Sequence, residues 1–140
     1  SLEFAFCVAP THPLTRIDRP LQRGDLLEHN AIVVGDSART LSDRTVGLLA
    51  GQPRITVPSM VAKIACQLEG LGHGYLPRAC IALELARGTL VELPTEEPRP
   101  PEAFWLAWKT GAKGQALRWW RERLNRALVP ALLPRSMWVQ

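Results

Sequence analysis

Residues Val57–Arg78, VPSMVAKIACQLEGLGHGYLPR, constrain the fold more than any other stretch. Pro58 has a fixed φ and no N–H to give to a ladder, so it suits the end of a strand rather than its middle. Ser59 follows as an N-cap, its hydroxyl placed to accept an N–H of the first helical turn. Met60, Val61, Ile64, Ala65, Leu68 and Leu71 then recur at helical spacing and supply one face to bury. Gly70 and Gly72 can end the helix, since glycine takes the left-handed conformation of a C-cap, and a second strand runs up to Pro77. A strand that leads into a helix N-terminus leaves backbone N–H groups free at its end, where open α/β sheets bind small and often anionic ligands. Every βαβ unit shares this outline, so spacing alone does not separate a binding edge from an ordinary one.

The flanking elements follow from local chemistry. Leu2–Ala9 is a continuous apolar run that ends at Pro10, as a strand buried on both faces requires. Thr11–Pro20, with two prolines inside it, reads as an irregular polar loop in which His12 caps or packs locally. A short helix is expected over Gly24–Glu28, and a buried strand over Asn30–Val34 that leaves through the loop Gly35-Asp36-Ser37. That loop is either an ordinary turn or a second strand-end edge lying beside Pro58-Ser59. Asp43–Ala50 is a weak helix interrupted by Gly47, and Arg54–Val57 is a strand. Arg78–Arg87 is a helix closed by Gly88, with Cys80, Ile81, Leu83 and Leu85 mostly inward. Thr89–Leu93 is a strand, and the proline- and glutamate-rich run Pro94–Pro101 marks the clearest boundary in the chain. Beyond it, Ala103–Lys109 reads as an apolar strand, and Gly114 to about Val129 as an amphipathic helix with Leu117, Trp120 and Leu124 on one side.

Charge and residue chemistry then narrow function. The net charge of +4 rests largely on arginines of that last helix. Glu122 lies four residues from both Arg118 and Arg126, the spacing of ion pairs on a solvated face, and no base-reading motif accompanies them. Three cysteines without a CxxC pair exclude a disulfide framework and a zinc site, and a reducing compartment fits best. Cys66 and Cys80 are expected to act as small buried hydrophobes. No Ser-His-Asp, paired-carboxylate or metal constellation is assembled, so neither catalysis nor a cofactor is expected. No apolar run approaches the roughly 18 residues of a membrane span. With 140 residues, 46% of them hydrophobic, the chain suffices for one globular core.

CVAPTHPL at 7–14, RGDLLEHNAIVV at 23–34, ITVPSMVAKIACQLEGLGHGYLPR at 55–78, LARGTLVEL at 85–93 and FWLAWKTG at 104–111 occur together in one order. That series resembles the effector-binding domain of LysR-type transcriptional regulators, over nearly the whole chain. The resemblance implies an α/β open sheet flanked by helices, of periplasmic-binding-protein type 2. Residues 8–102 would be the second regulatory subdomain, with 1–7 and 103–140 as the hinge strand and what remains of the first. It implies a cytoplasmic regulator that holds a small effector between two subdomains and binds promoter DNA only through an N-terminal region outside these residues. It also implies homo-oligomers in which the helix Met60–Leu71 supplies half of a contact. The effector site would comprise Gly35, Asp36, Ser37, Pro58, Ser59, Met60 and His73, the last standing where the family has an aliphatic residue. His73 would either line the cleft or cap the glycine turn. A solute-binding protein of transport shares the fold and stands as the alternative.

Overall fold

A computed structural model describes residues 1–35, 49–103, 111 and 114–126. Strand β1, Phe4–Val8, is buried at four of its five positions. Its side chains alternate between two cores, which is why the run is apolar throughout. Ala5 and Cys7 join Ile64, Leu76, Cys80, Ile81 and Leu90 on one face, whereas Phe6 and Val8 join Leu14 and Leu21 on the other.

β1 pairs antiparallel with β4, Gly74–Pro77, placing Phe4 opposite Pro77 and Cys7 opposite Gly74. On its other side it pairs antiparallel with β5, Val91–Glu92, which is shorter than Thr89–Leu93 suggested. β2, Ala31–Val34, and β3, Arg54–Val57, run parallel with Val34 opposite Val57. A parallel bridge between Ala31 and His73 joins the two sheets. It consists of the Ile32 N–H donating to His73 O at 2.9 Å and the His73 N–H donating to Asn30 O at 3.0 Å. The C-terminal ends of β2, β3 and β4 therefore lie at one edge of the molecule. β2 is less enclosed than its composition suggests, because Val33 is half-buried and Val34 exposed at that edge.

Helix α2, Met60–Leu68, begins and ends on the expected residues' chemistry. Ser59 Oγ accepts the Ala62 N–H at 3.2 Å, and Gly70 takes φ of 73° just past the C-cap. Leu71 thus falls beyond the helix and is 51% exposed, a correction to its place on the buried face. Gly72 does not cap: a Cβ there would lie 2.2 Å from Asn30 O, so glycine is required by the close approach to the residue that precedes β2.

Helix α3, Arg78–Arg87, closes on Gly88 at φ 69°. Its inward positions are Cys80, Ile81 and Glu84, with Leu85 packed against that core, and Leu83 is 52% exposed. The expectation for Leu83 fails because it sits two residues from Ile81, on the opposite side of a helix. The loop after β1 holds a 3-10 turn, Pro13–Arg16, rather than irregular chain. Pro13 fits its first turn, where the missing N–H costs nothing, and His12 Nδ1 accepts the Leu14 N–H at 3.2 Å.

A short helix α1, Arg23–Leu27, follows. The proline-rich run is fastened at both ends: the Leu21 N–H donates to Pro94 O and the Glu96 N–H to Leu21 O, while Leu2 and Glu102 exchange both backbone bonds. Helix α4, Gln115–Arg126, leaves Trp119 and Trp120 half exposed and packed edge-to-face at 4.9 Å. The strand expected over 103–109 and the helix expected over 43–50 fall largely outside the described residues.

Candidate functional site

The parallel pairing of β2 and β3 brings Gly35 beside Pro58-Ser59-Met60. The Gly35 N–H donates to Val57 O at 2.9 Å, extending the ladder one residue past β2. Gly35 and Pro58 are exposed, Ser59 is half-buried, and Met60 packs in part against the core of Ile64 and Leu76. Asp36 and Ser37 lie outside the described residues. Ser59 has one demonstrated duty, the cap on α2, and Ser59→Ala is expected to cost about 1 kcal/mol. Urea denaturation of the two proteins checks this, and equal midpoints would remove the cap from the account.

His73 is buried at the other end of the sheet, at the bridge that precedes β4, away from the strand ends that hold Gly35 and Pro58. Gln52 Nε2 donates to Leu26 O at 2.9 Å and lies 3.1 Å from His73 Nε2, while Gln52 Oε1 accepts the Leu49 N–H. The same Nε2 stands 3.3 Å from Leu26 O, so the ring tautomer sets whether it donates to that carbonyl or accepts from the Gln52 amide. Burial pushes the His73 imidazole down to about 4, helped by His12 and His29 and opposed by the Leu26 carbonyl. The ring also lies 5.1 Å from that of Phe6. His73 thus ties α1, the turn before β3 and the sheet together as a neutral ring.

Cys7 and Cys80 are buried thiols, whereas Cys66 is only half-buried. Burial drives Cys7 up to about 12, with Glu92 adding and Arg78 opposing, and burial likewise raises Cys80. A neutral, enclosed thiol is neither nucleophile nor metal ligand. No group of His, Cys, Asp and Glu among the described residues is arranged to hold a metal ion. A cavity of about 590 Å³ opens between α1 and Thr95–Glu97, on the far side from α2. Part of its polar rim is engaged within the protein: Tyr75 Oη lies 2.9 Å from Thr95 Oγ1, and Gln22 donates to Glu96.

Two side chains on α2 were passed over by a search for apolar periodicity. Lys63 and Gln67 stand one turn apart, on the side of the helix that meets the sheet. The available signal was a polar pair at i, i+4 interleaved with Met60, Ile64 and Leu68.

The profile of the LysR substrate binding domain family matches residues 1–129. The chain is 38% identical over 123 residues to the HTH-type transcriptional regulator YeeY of Escherichia coli (strain K12), which covers 88% of this chain and 40% of that protein. It is 36% identical over 117 residues to the HTH-type transcriptional activator AllS of Salmonella paratyphi A, 84% of this chain and 38% of that protein. The chain therefore spans about two fifths of the length of these curated relatives, which are named as regulators and not as enzymes. Among solved structures, the effector domain of the transcriptional regulator AmpR of Pseudomonas aeruginosa superposes with a TM-score of 0.60 at 20% identity, covering 94% of this chain and 63% of that one. That likeness concerns the fold, and it agrees with a mixed sheet flanked by helices on both faces. With the family profile spanning residues 1–129, the chain belongs to the LysR substrate binding domain family.

Proposed function

We propose that this chain is the effector-sensing part of a cytoplasmic, homo-oligomeric LysR-type transcriptional regulator, without catalytic activity of its own. The observation that carries this reading is the family match over residues 1–129. The full protein would reach promoter DNA through a helix-turn-helix outside this chain, as the relatives' names suggest for them. Residues 8–102 form the second subdomain in this reading, with 1–7 and 103–140 belonging to the hinge and the first. The backbone pairing of Leu2 with Glu102 supports a hinge there, since it clamps the chain entering residues 8–102 to the chain leaving them. No described helix is long and apolar enough to cross a membrane.

The effector occupies the strand-end edge: Gly35, Asp36 and Ser37 on one side, Pro58, Ser59 and Met60 on the other. The N-terminus of α2 points its positive end there and favours an anionic group, by about 0.3–1 kcal/mol per charge when exposed. An anionic effector there requires the Asp36 carboxylate to face away from it, since a carboxylate in the same cleft would repel the ligand. Effector binding closes the two subdomains and shifts the population of DNA-binding arrangements by its preference for one of them.

Ser59→Asp tests this in the intact regulator. An aspartate keeps the cap but places a negative charge at the edge, so promoter-reporter output is expected to lose its response to effector while the protein stays folded. A variant that responds as the wild type does would move the cleft elsewhere. A protein that binds a solute but never alters transcription would restore the transport reading.

A further inference from the structure

Gln67 is fully buried, and neither its amide nitrogen nor its amide oxygen meets a hydrogen-bond partner among the described residues. Buried side-chain amides are nearly always satisfied, so an orphan at both ends calls for a partner that the fold does not supply. One turn earlier on α2, Lys63 reaches toward the same place. A Cβ on Gly74 would stand 3.1 Å from Gln67 Nε2, 3.2 Å from Lys63 Nζ and 3.3 Å from Ile32 O, so three polar atoms converge around one glycine. Gly74, at φ 155°, tolerates this crowding where any other residue would displace them.

The place itself is a parting in the sheet. β2 and the chain leading into β4 share hydrogen bonds at the Ala31–His73 bridge. Beyond that isolated bridge, and among the described residues, β2 ladders only with β3, and β4 only with β1. No ion pair among the described residues engages Lys63, and burial together with the nearby Arg99 lowers its basicity to about 8. Arg99 is already committed, with its guanidinium over the Phe4 ring and paired to Glu102. Lys63 is therefore a largely buried cation without a described counter-charge, beside an amide with one donor side and one acceptor side free. It remains partly exposed, so a ligand can reach it from solvent.

We propose that Lys63 and Gln67 form a ligand-reading slot for a small carboxylic acid that carries a hydroxyl or N–H donor on the carbon next to its carboxylate. The carboxylate lies against Lys63 Nζ and accepts from Gln67 Nε2, and the neighbouring donor gives its hydrogen to Gln67 Oε1. This deepens the effector-sensing reading and rests on it, while locating ligand recognition one to two turns into α2 rather than only at Ser59.

Glycolate is the probe, with acetate lacking the hydroxyl and glycolamide lacking the charge as its controls. In the intact regulator, the Lys63 side chain is followed by carbon and nitrogen NMR through a pH titration. Glycolate is expected to raise the Lys63 midpoint toward the ordinary lysine range, because a bound anion favours the charged amine, and glycolamide is expected to leave it in place. Gln67→Leu, a substitution of similar size that removes the orphaned amide, should keep the fold and weaken glycolate at least tenfold more than it weakens acetate. Lys63→Met should abolish binding of both acids. An unmoved Lys63 midpoint at millimolar glycolate, or wild-type glycolate affinity in Lys63→Met, overturns the slot and leaves Gln67 satisfied by ordered water alone. Neither result touches the sensor reading, which stands or falls on the reporter response of Ser59→Asp.

Discussion

Replacing Gly72 by alanine is expected to cost about 3 kcal/mol or more, the upper end for overpacking a closed interior. The added methyl would lie 2.2 Å from Asn30 O, 2.9 Å from Ile32 Cδ1 and 3.1 Å from the Asn30 carbonyl carbon. Two of those three atoms are backbone, and that backbone holds the bridge to His73, so neither can move without parting β2 from β4. Gly70→Ala is the informative companion. There the nearest atoms stand at 3.6 and 3.7 Å, and the cost comes from the positive φ alone, about 1 kcal/mol. Urea midpoints of the two variants separate a steric requirement from a conformational one. A Gly72→Ala protein as stable as Gly70→Ala would mean that the chain before β2 yields easily.

Acid should weaken the fold through His73. Its imidazole ionises at about 4 in the folded protein against 6.5 for an ordinary histidine. The unfolded chain therefore takes up this proton first as pH falls, so the stabilisation is complete above pH 6.5 and drains away toward pH 4. The gap corresponds to about 3 kcal/mol, at about 1.4 kcal/mol per pH unit. His12 acts in the same direction, held low by its own burial and by His29. The cluster is tight: His12 lies 4.9 Å from His29 and 6.4 Å from His73, ring centre to ring centre, so each charge formed discourages the next. Urea midpoints of the wild type and His73→Gln across this window measure the effect. The variant is expected to start lower and fall less steeply; equal slopes would show that His73 titrates as an exposed ring does.

Much of the fold was legible because its determinants are local. The Ser59 cap, the glycine exit at Gly70, the Gly88 close of α3 and the proline ends of β3 and β4 each depend on atoms within about four residues of one another. The unbroken apolar run of β1 was equally plain, since a strand covered on both faces has no polar side to reveal. From the same features came the pairing of two strand ends that frames the candidate site, and the order of motifs pointed to the family.

Other decisions were made only by which surfaces meet. Gly72 and Gly70 look alike in sequence, yet one answers a left-handed turn and the other a carbonyl contributed from Asn30. Leu83 carried the right composition for the core, but the face that packs on the sheet runs through Ile81, Glu84 and Leu85. The three histidines are separated along the chain and meet because the 3-10 turn, the end of α1 and the bridge before β4 converge, with His12 between the other two and His73 against Phe6. Lys63 and Gln67 are ordinary helix-surface residues until α2 lies across the parting between β2 and β4, where burial removes the water that would have satisfied them. Local hydrogen bonding sets where elements start and stop, and the sequence alone determined that much. Desolvation and close approach depend on neighbours distant in the chain, and only the tertiary structure decided which residues would feel them.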